Sequence, residues 1–97
     1  MMSTVKKGMD VYDSTNNNFG SVQFIFTGEA NTGSHPDDKW LPSGASVEDK
    51  QHLLQEGYIK VGNPIFSGGA YVLSSQIDRV EGDRVYTSVM QNEVLRD

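Results

Sequence analysis

Apolar and polar residues alternate in short runs along the chain, separated by clusters of Gly, Asn, Asp, Pro and Ser. Alternation with period two marks strands, because successive side chains point to opposite faces of a sheet. Met9 to Tyr12 predicts a short first strand, with Met9 and Val11 on one side and Asp10 and Tyr12 on the other. The run Asp13-Ser14-Thr15-Asn16-Asn17-Asn18 is a turn by composition: such side chains bond their own backbone, and Asn tolerates positive φ. Gly20 then leads into Ser21 to Thr27, whose β-branched and aromatic residues predict a second strand, apolar on both faces at its centre.

From Gly28 to Gly44 no apolar period survives, which predicts a long loop. Ser46 is placed to cap a helix that has Asp49 in the capping-box position, an acidic first turn and Gly57 as its stop. Val47, Leu53 and Leu54 form its expected apolar side, and its three turns require tertiary packing to persist. Strands are predicted at 58–61 and 70–74, broken by Gly62-Asn63-Pro64 and Gly68-Gly69, and then at 77–81 and 84–89 around a two-residue Gly82-Asp83 hairpin turn. The tail predicts one last helical turn through Glu93, Val94 and Leu95.

This pattern predicts a mainly β fold: a small, partly closed antiparallel β-barrel with one short α-helix, since closure removes sheet edges. A chain of 97 residues supports one core, so a single domain spanning 1–97 is expected, with residues 28–57 as a loop-helix insert. There is no cysteine, which excludes disulfides, thiolate metal sites and cysteine nucleophiles and fits a reducing compartment. No apolar run resembles a signal peptide or a membrane span, so a cytoplasmic protein is expected. The insert holds six acids (Glu29, Asp37, Asp38, Glu48, Asp49, Glu56) against Lys39 and Lys50, most of the net charge of −5. The bases are scattered, which argues against direct nucleic-acid binding.

Candidate chemistry is sparse. His35 lies next to Pro36-Asp37-Asp38, and Glu48 and His52 stand one helical turn apart, the beginnings of an oxygen-and-imidazole metal site. Such residues are commonplace on a solvated helix, and no metal or other cofactor is assigned. Ser43, Ser46, Ser74 and Ser75 lack the Gly-x-Ser-x-Gly context of a nucleophile elbow, and Ser46 is better explained as a cap. Asp37, Asp38, Glu48 and Asp49 offer a pair of carboxylates, but a loop and a helix N-terminus attract the same acids. Ser67-Gly68-Gly69 lacks the lysine and helix start of a phosphate loop, so it is expected to be a turn leading into a strand. No catalytic residue is assigned. Trp40, the only tryptophan, stands in the least regular part of the chain and is expected to anchor the loop on the barrel, with contact to a partner as the alternative.

Two stretches resemble the PRC-barrel family. The opening, Gly8-Met9-Asp10-Val11-Tyr12-Asp13 followed by Gly20-Ser21-Val22, is similar to the family's first two strands. The closing half, Tyr71-Val72-Leu73-Ser74-Ser75-Gln76-Ile77 and Val80-Glu81-Gly82-Asp83-Arg84-Val85-Tyr86 with Asn92-Glu93-Val94, is similar to its last strands. Asn17 and Asn18 replace a common glycine, Ser74 replaces a common proline, and residues 28–57 have no counterpart. The resemblance implies a binding domain, since similar domains occur in the H subunit of photosynthetic reaction centres and in a ribosome maturation factor without catalytic use of the barrel. A non-catalytic, PRC-barrel-like module acting by protein association, as a homodimer, is therefore expected. Its candidate partner contacts are Trp40, Leu41, Leu53 and Leu54. The alternative is a small-molecule binder or weak hydrolase with the acidic insert as a lid over a pocket of Phe24, Phe26, Tyr58 and Tyr71.

Overall fold

The computed structural model describes residues 4–28, 36–62 and 69–96. Their strands are β1 (Asp10–Tyr12), β2 (Asn18–Phe26), β3 (Tyr58–Gly62), β4 (Gly69–Leu73), β5 (Ile77–Glu81), β6 (Arg84–Thr87) and β7 (Leu95–Arg96), with helix α1 (Val47–Glu56) between β2 and β3. They form one sheet in the order β5-β6-β1-β2-β3-β4-β7. The fold is mainly β, as expected. The sheet is open, however, ending at β5 on one side and β7 on the other, and β1 and β6 run parallel while the other neighbours are antiparallel. A parallel pair needs a long crossover, and here almost the whole chain between Tyr12 and Arg84 supplies it.

The open sheet must nevertheless curl. In a flat sheet β4 and β5 would lie about 24 Å apart, five strand spacings. Only Ser74–Gln76, a 3-10 turn, joins them, and Leu73 to Ile77 can span about 14 Å at most. The curled inner face holds the first core, with Val11, Phe19, Val22, Ile59, Val61, Ala70, Val72, Ile77 and Val85 contributed by six strands and Val5 and Val94 by the ends of the chain. Cross-strand register explains the sorting: Ile59 opposes Val72, Val61 opposes Ala70 and Val22, and Val11 opposes Val85. Bulges within β1–β2, β2–β3 and β5–β6 add the local twist that curvature requires.

The outer face divides in two. Over β2–β4 it carries Phe26, Tyr58 and Tyr71, buried beneath Leu53 of α1 and Leu41 of the preceding loop, with Phe24, Leu54, Leu73 and Leu95 around them. Helix α1 begins as predicted, with the Ser46 hydroxyl accepting from the Asp49 N–H at 3.2 Å. It ends with the Gly57 N–H donating to the Leu53 carbonyl at 2.9 Å. Its apolar side is narrower than expected: Leu53 is 0% exposed, whereas Val47 is 72% exposed. In the first turn Val47 points away from the sheet, and the helix docks through its second half. The tail also departs from expectation: Gln91–Glu93 form a 3-10 turn, and Leu95 and Arg96 pair with Tyr71 and Ala70 as β7. The free edge of β4 offers backbone partners that an isolated helical turn cannot match.

Gly20 lies on β2 against the Gly62 backbone and the Val61 side chain of β3. A Cβ there would lie 2.2 Å from the Gly62 carbonyl oxygen, at a φ of 145°. Among the described residues no helix is long and apolar enough to cross a membrane.

Candidate functional site

Alternation along β1 and β6 turns Val11 and Val85 inward and leaves their neighbours outside. The parallel register opposes Tyr12 to Tyr86 and Asp10 to Arg84. The two tyrosine rings stack with centroids 5.2 Å apart and planes 23° from parallel. Two guanidinium groups extend this pair, Arg79 lying 4.1 Å from the Tyr86 ring and Arg84 5.6 Å from the Tyr12 ring. Arg79 is held on its strand by Asp78 Oδ2 at 2.8 Å and Glu81 Oε1 at 3.4 Å. Its hydrogen bond to Asp78 first, and the charge of Glu81 after it, push its pKa still higher; a hydrogen bond with Tyr86 does the same for Arg84. The result is a half-exposed aromatic platform edged by two guanidinium groups and their carboxylate neighbours, on the part of the outer face that α1 does not cover.

The turn that follows Tyr12 is held by hydrogen bonds to Asp13. Asp13 is 5% exposed, and its Oδ1 accepts from the Thr15 N–H at 2.9 Å, the Thr15 hydroxyl at 2.6 Å and the Asn17 N–H at 3.0 Å. Burial alone would raise the Asp13 pKa, but hydrogen bonds from Thr15, Asn17 and Gln91 outweigh it and hold the carboxyl below its usual value. The Ser14 N–H reaches the Val89 carbonyl at 2.9 Å, tying the turn to the segment that follows β6.

Trp40 anchors its loop. Its ring lies on Phe24, centroids 4.5 Å apart and planes 4° from parallel, with the Lys39 and Lys60 ammonium groups 5.2 and 5.5 Å from its centroid. The Tyr58 hydroxyl donates to the Trp40 carbonyl, and Lys60 Nζ donates to the Lys39 carbonyl at 3.2 Å. Of the four candidate partner contacts, Leu41 (7% exposed) and Leu53 (0%) are covered by this chain's own second core. Trp40 and Leu54 keep part of their surface. The rings of Phe24, Phe26, Tyr58 and Tyr71 form one cluster, with Tyr58 6.2, 5.8 and 6.0 Å from Phe24, Phe26 and Tyr71.

The remaining candidates are dispersed. Glu48 and His52 are both exposed on α1, and among the described residues no group of three or more His, Asp or Glu comes together. His35, Ser67 and Gly68 lie outside the described residues. Asp37 and Glu48 are exposed and Asp49 half-buried. Ser43 and Ser75 are exposed, while Ser46 caps α1 and the Ser74 hydroxyl donates to the Glu56 carbonyl at 2.9 Å. Sequence reasoning missed Tyr12, Tyr86, Arg79 and Arg84 as a group. The alternation placing Tyr12, Tyr86 and Arg84 outside was legible, but the bulge in β5 that turns Arg79 outward and the parallel pairing that joins the group were not.

No protein-family model matches the chain, and searches of curated proteins and of solved structures return no match.

Proposed function

We propose that the chain is a non-catalytic, PRC-barrel-like binding module that works in the cytoplasm by protein association, with a second copy of itself as the partner. The observation that carries this reading is the uncovered part of the outer face. The chain lays its own helix and loop over β2–β4 but leaves Tyr12, Tyr86, Arg79 and Arg84 half-exposed or exposed on β1, β5 and β6. Tyrosine and arginine are the residue types that carry binding energy at protein interfaces. The stack and the ion pairs hold them in place before any partner arrives, which lowers the entropy lost on binding. Trp40 and Leu54 remain as secondary contacts, and Leu41 and Leu53 support them from beneath. Sedimentation equilibrium of the isolated chain at micromolar concentration tests the reading: a dimer supports it, and a clean monomer overturns self-association.

A further inference from the structure

We infer that the second copy docks on the β5 edge, by antiparallel pairing of β5 with its counterpart about a two-fold axis at Val80. This rests on the reading of the chain as self-associating and places the contact at the edge beside the aromatic platform, with Arg79 belonging to both. Among the described residues β5 ends the sheet, so half of its backbone N–H and C=O groups face away from β6, as at any sheet edge.

The hairpin decides which half. Glu81 opposes Arg84 across the two-residue Gly82-Asp83 loop, and Gly82 alone of these two takes positive φ, at 58°, the pattern of a type II′ turn. The pair closing such a loop exchanges its hydrogen bonds, and hydrogen-bonded and non-hydrogen-bonded pairs alternate from there back to Arg79, where the bulge begins. Val80, one step back and opposite Val85, therefore turns its N–H and C=O outward. Its half-buried side chain packs on the inner core.

Asp78, Arg79 and Glu81 stand exposed along this edge. Charges of this kind blunt an edge against indiscriminate pairing, and here they also select a register. A two-fold axis maps each opposed pair onto another of the same bonding type, and because the types alternate, one residue must oppose its own copy. Placing Asp78, Arg79 or Glu81 on the axis sets like charges directly opposite, which is destabilising. An axis at Ile77 would oppose Val80 and Arg79 to the 3-10 turn Ser74–Gln76 instead of a strand. An axis at Val80 lets its outward N–H and C=O bond to their copies. It also sets Arg79 opposite Glu81 of the partner copy twice, in the more closely spaced non-hydrogen-bonded pairs.

The test uses sedimentation equilibrium of the full chain and of Arg79→Glu, Glu81→Arg and the double variant, with thermal melts to establish that each folds. Each single variant places two like-charge pairs across the axis, and the dimer dissociation constant is expected to rise about tenfold or more. The double variant exchanges the charges and is expected to return to within a few-fold of the native chain. A dimer unchanged in both single variants overturns the β5 register while self-association stands, as does a double variant no tighter than the singles. A monomeric native chain overturns self-association and this inference with it.

Discussion

The hydroxyl of Tyr58 donates to the backbone carbonyl of Trp40, joining the first residue of β3 to the loop that precedes α1. Burial pushes the Tyr58 pKa well above its ordinary value of 10. A tyrosine whose folded pKa is raised contributes stability that is fully present below the unfolded pKa and is lost as pH rises toward the folded one. Stability is therefore expected to fall above about pH 10, and Tyr58→Phe to flatten that fall. At neutral pH Tyr58→Phe is expected to cost about 1 kcal/mol. Urea unfolding at pH 7 and in the alkaline range measures both.

The parallel stack of Phe24 and Trp40 pins the same loop. Phe24→Ala is expected to lower stability by about 2 kcal/mol and to expose the indole. Tryptophan emission should shift to the red and become more accessible to iodide, with the sheet signal in circular dichroism preserved.

Asp13 supplies the opposite pH dependence. Its folded pKa is depressed below the ordinary 3.8, so its contribution is present above the unfolded value and is lost as pH falls through the folded one. Asp13→Ala is expected to cost about 2 kcal/mol at pH 7, because it strands the Thr15 and Asn17 N–H donors. The cost should shrink in strong acid, as urea midpoints at neutral pH and at about pH 2 would record.

Two positions in α1 separate packing from pattern. Leu53→Ala is expected to destabilise by about 3 kcal/mol, since the side chain fills the second core. Val47→Ala should stay within about 0.5 kcal/mol, as an exposed residue does. Denaturant unfolding of both variants compares them directly.

Gly20→Ala is expected to be strongly destabilising. Its methyl group would meet the Gly62 carbonyl and the Val61 side chain at 2.2 and 2.7 Å, at a cost of about 3 kcal/mol or more from overpacking and backbone strain. Thermal unfolding of the purified variant, or its failure to accumulate, reads this out.

Local rules carried the reading of the sequence furthest. Ser46 and Gly57 bound the helix because capping depends on a few adjacent residues, and Gly82-Asp83 turn the hairpin for the same reason. Alternation placed Val11 and Tyr12 on opposite faces before any partner strand was known. What stayed hidden depends on distant pairing. Val47 fits a helical apolar stripe, but α1 packs on Tyr58 and Tyr71 through Leu53 and leaves Val47 in solvent. Leu95 and Arg96 become a strand only because β4 offers them an edge. The platform of Tyr12, Tyr86, Arg79 and Arg84 arises from residues more than sixty positions apart brought together by one parallel register.

That parallel register also governs how the fold can assemble. β1 can bond to β2 as soon as the first hairpin exists, but its other side waits for Arg84 to Tyr86. Loop closure over that distance is slow, and contacts between remote parts of the chain reward it only once it is complete. Until Arg84 to Tyr86 are in place one side of β1 has no strand to pair with, and the curled core, which also takes in Val94, closes only after both segments have joined it.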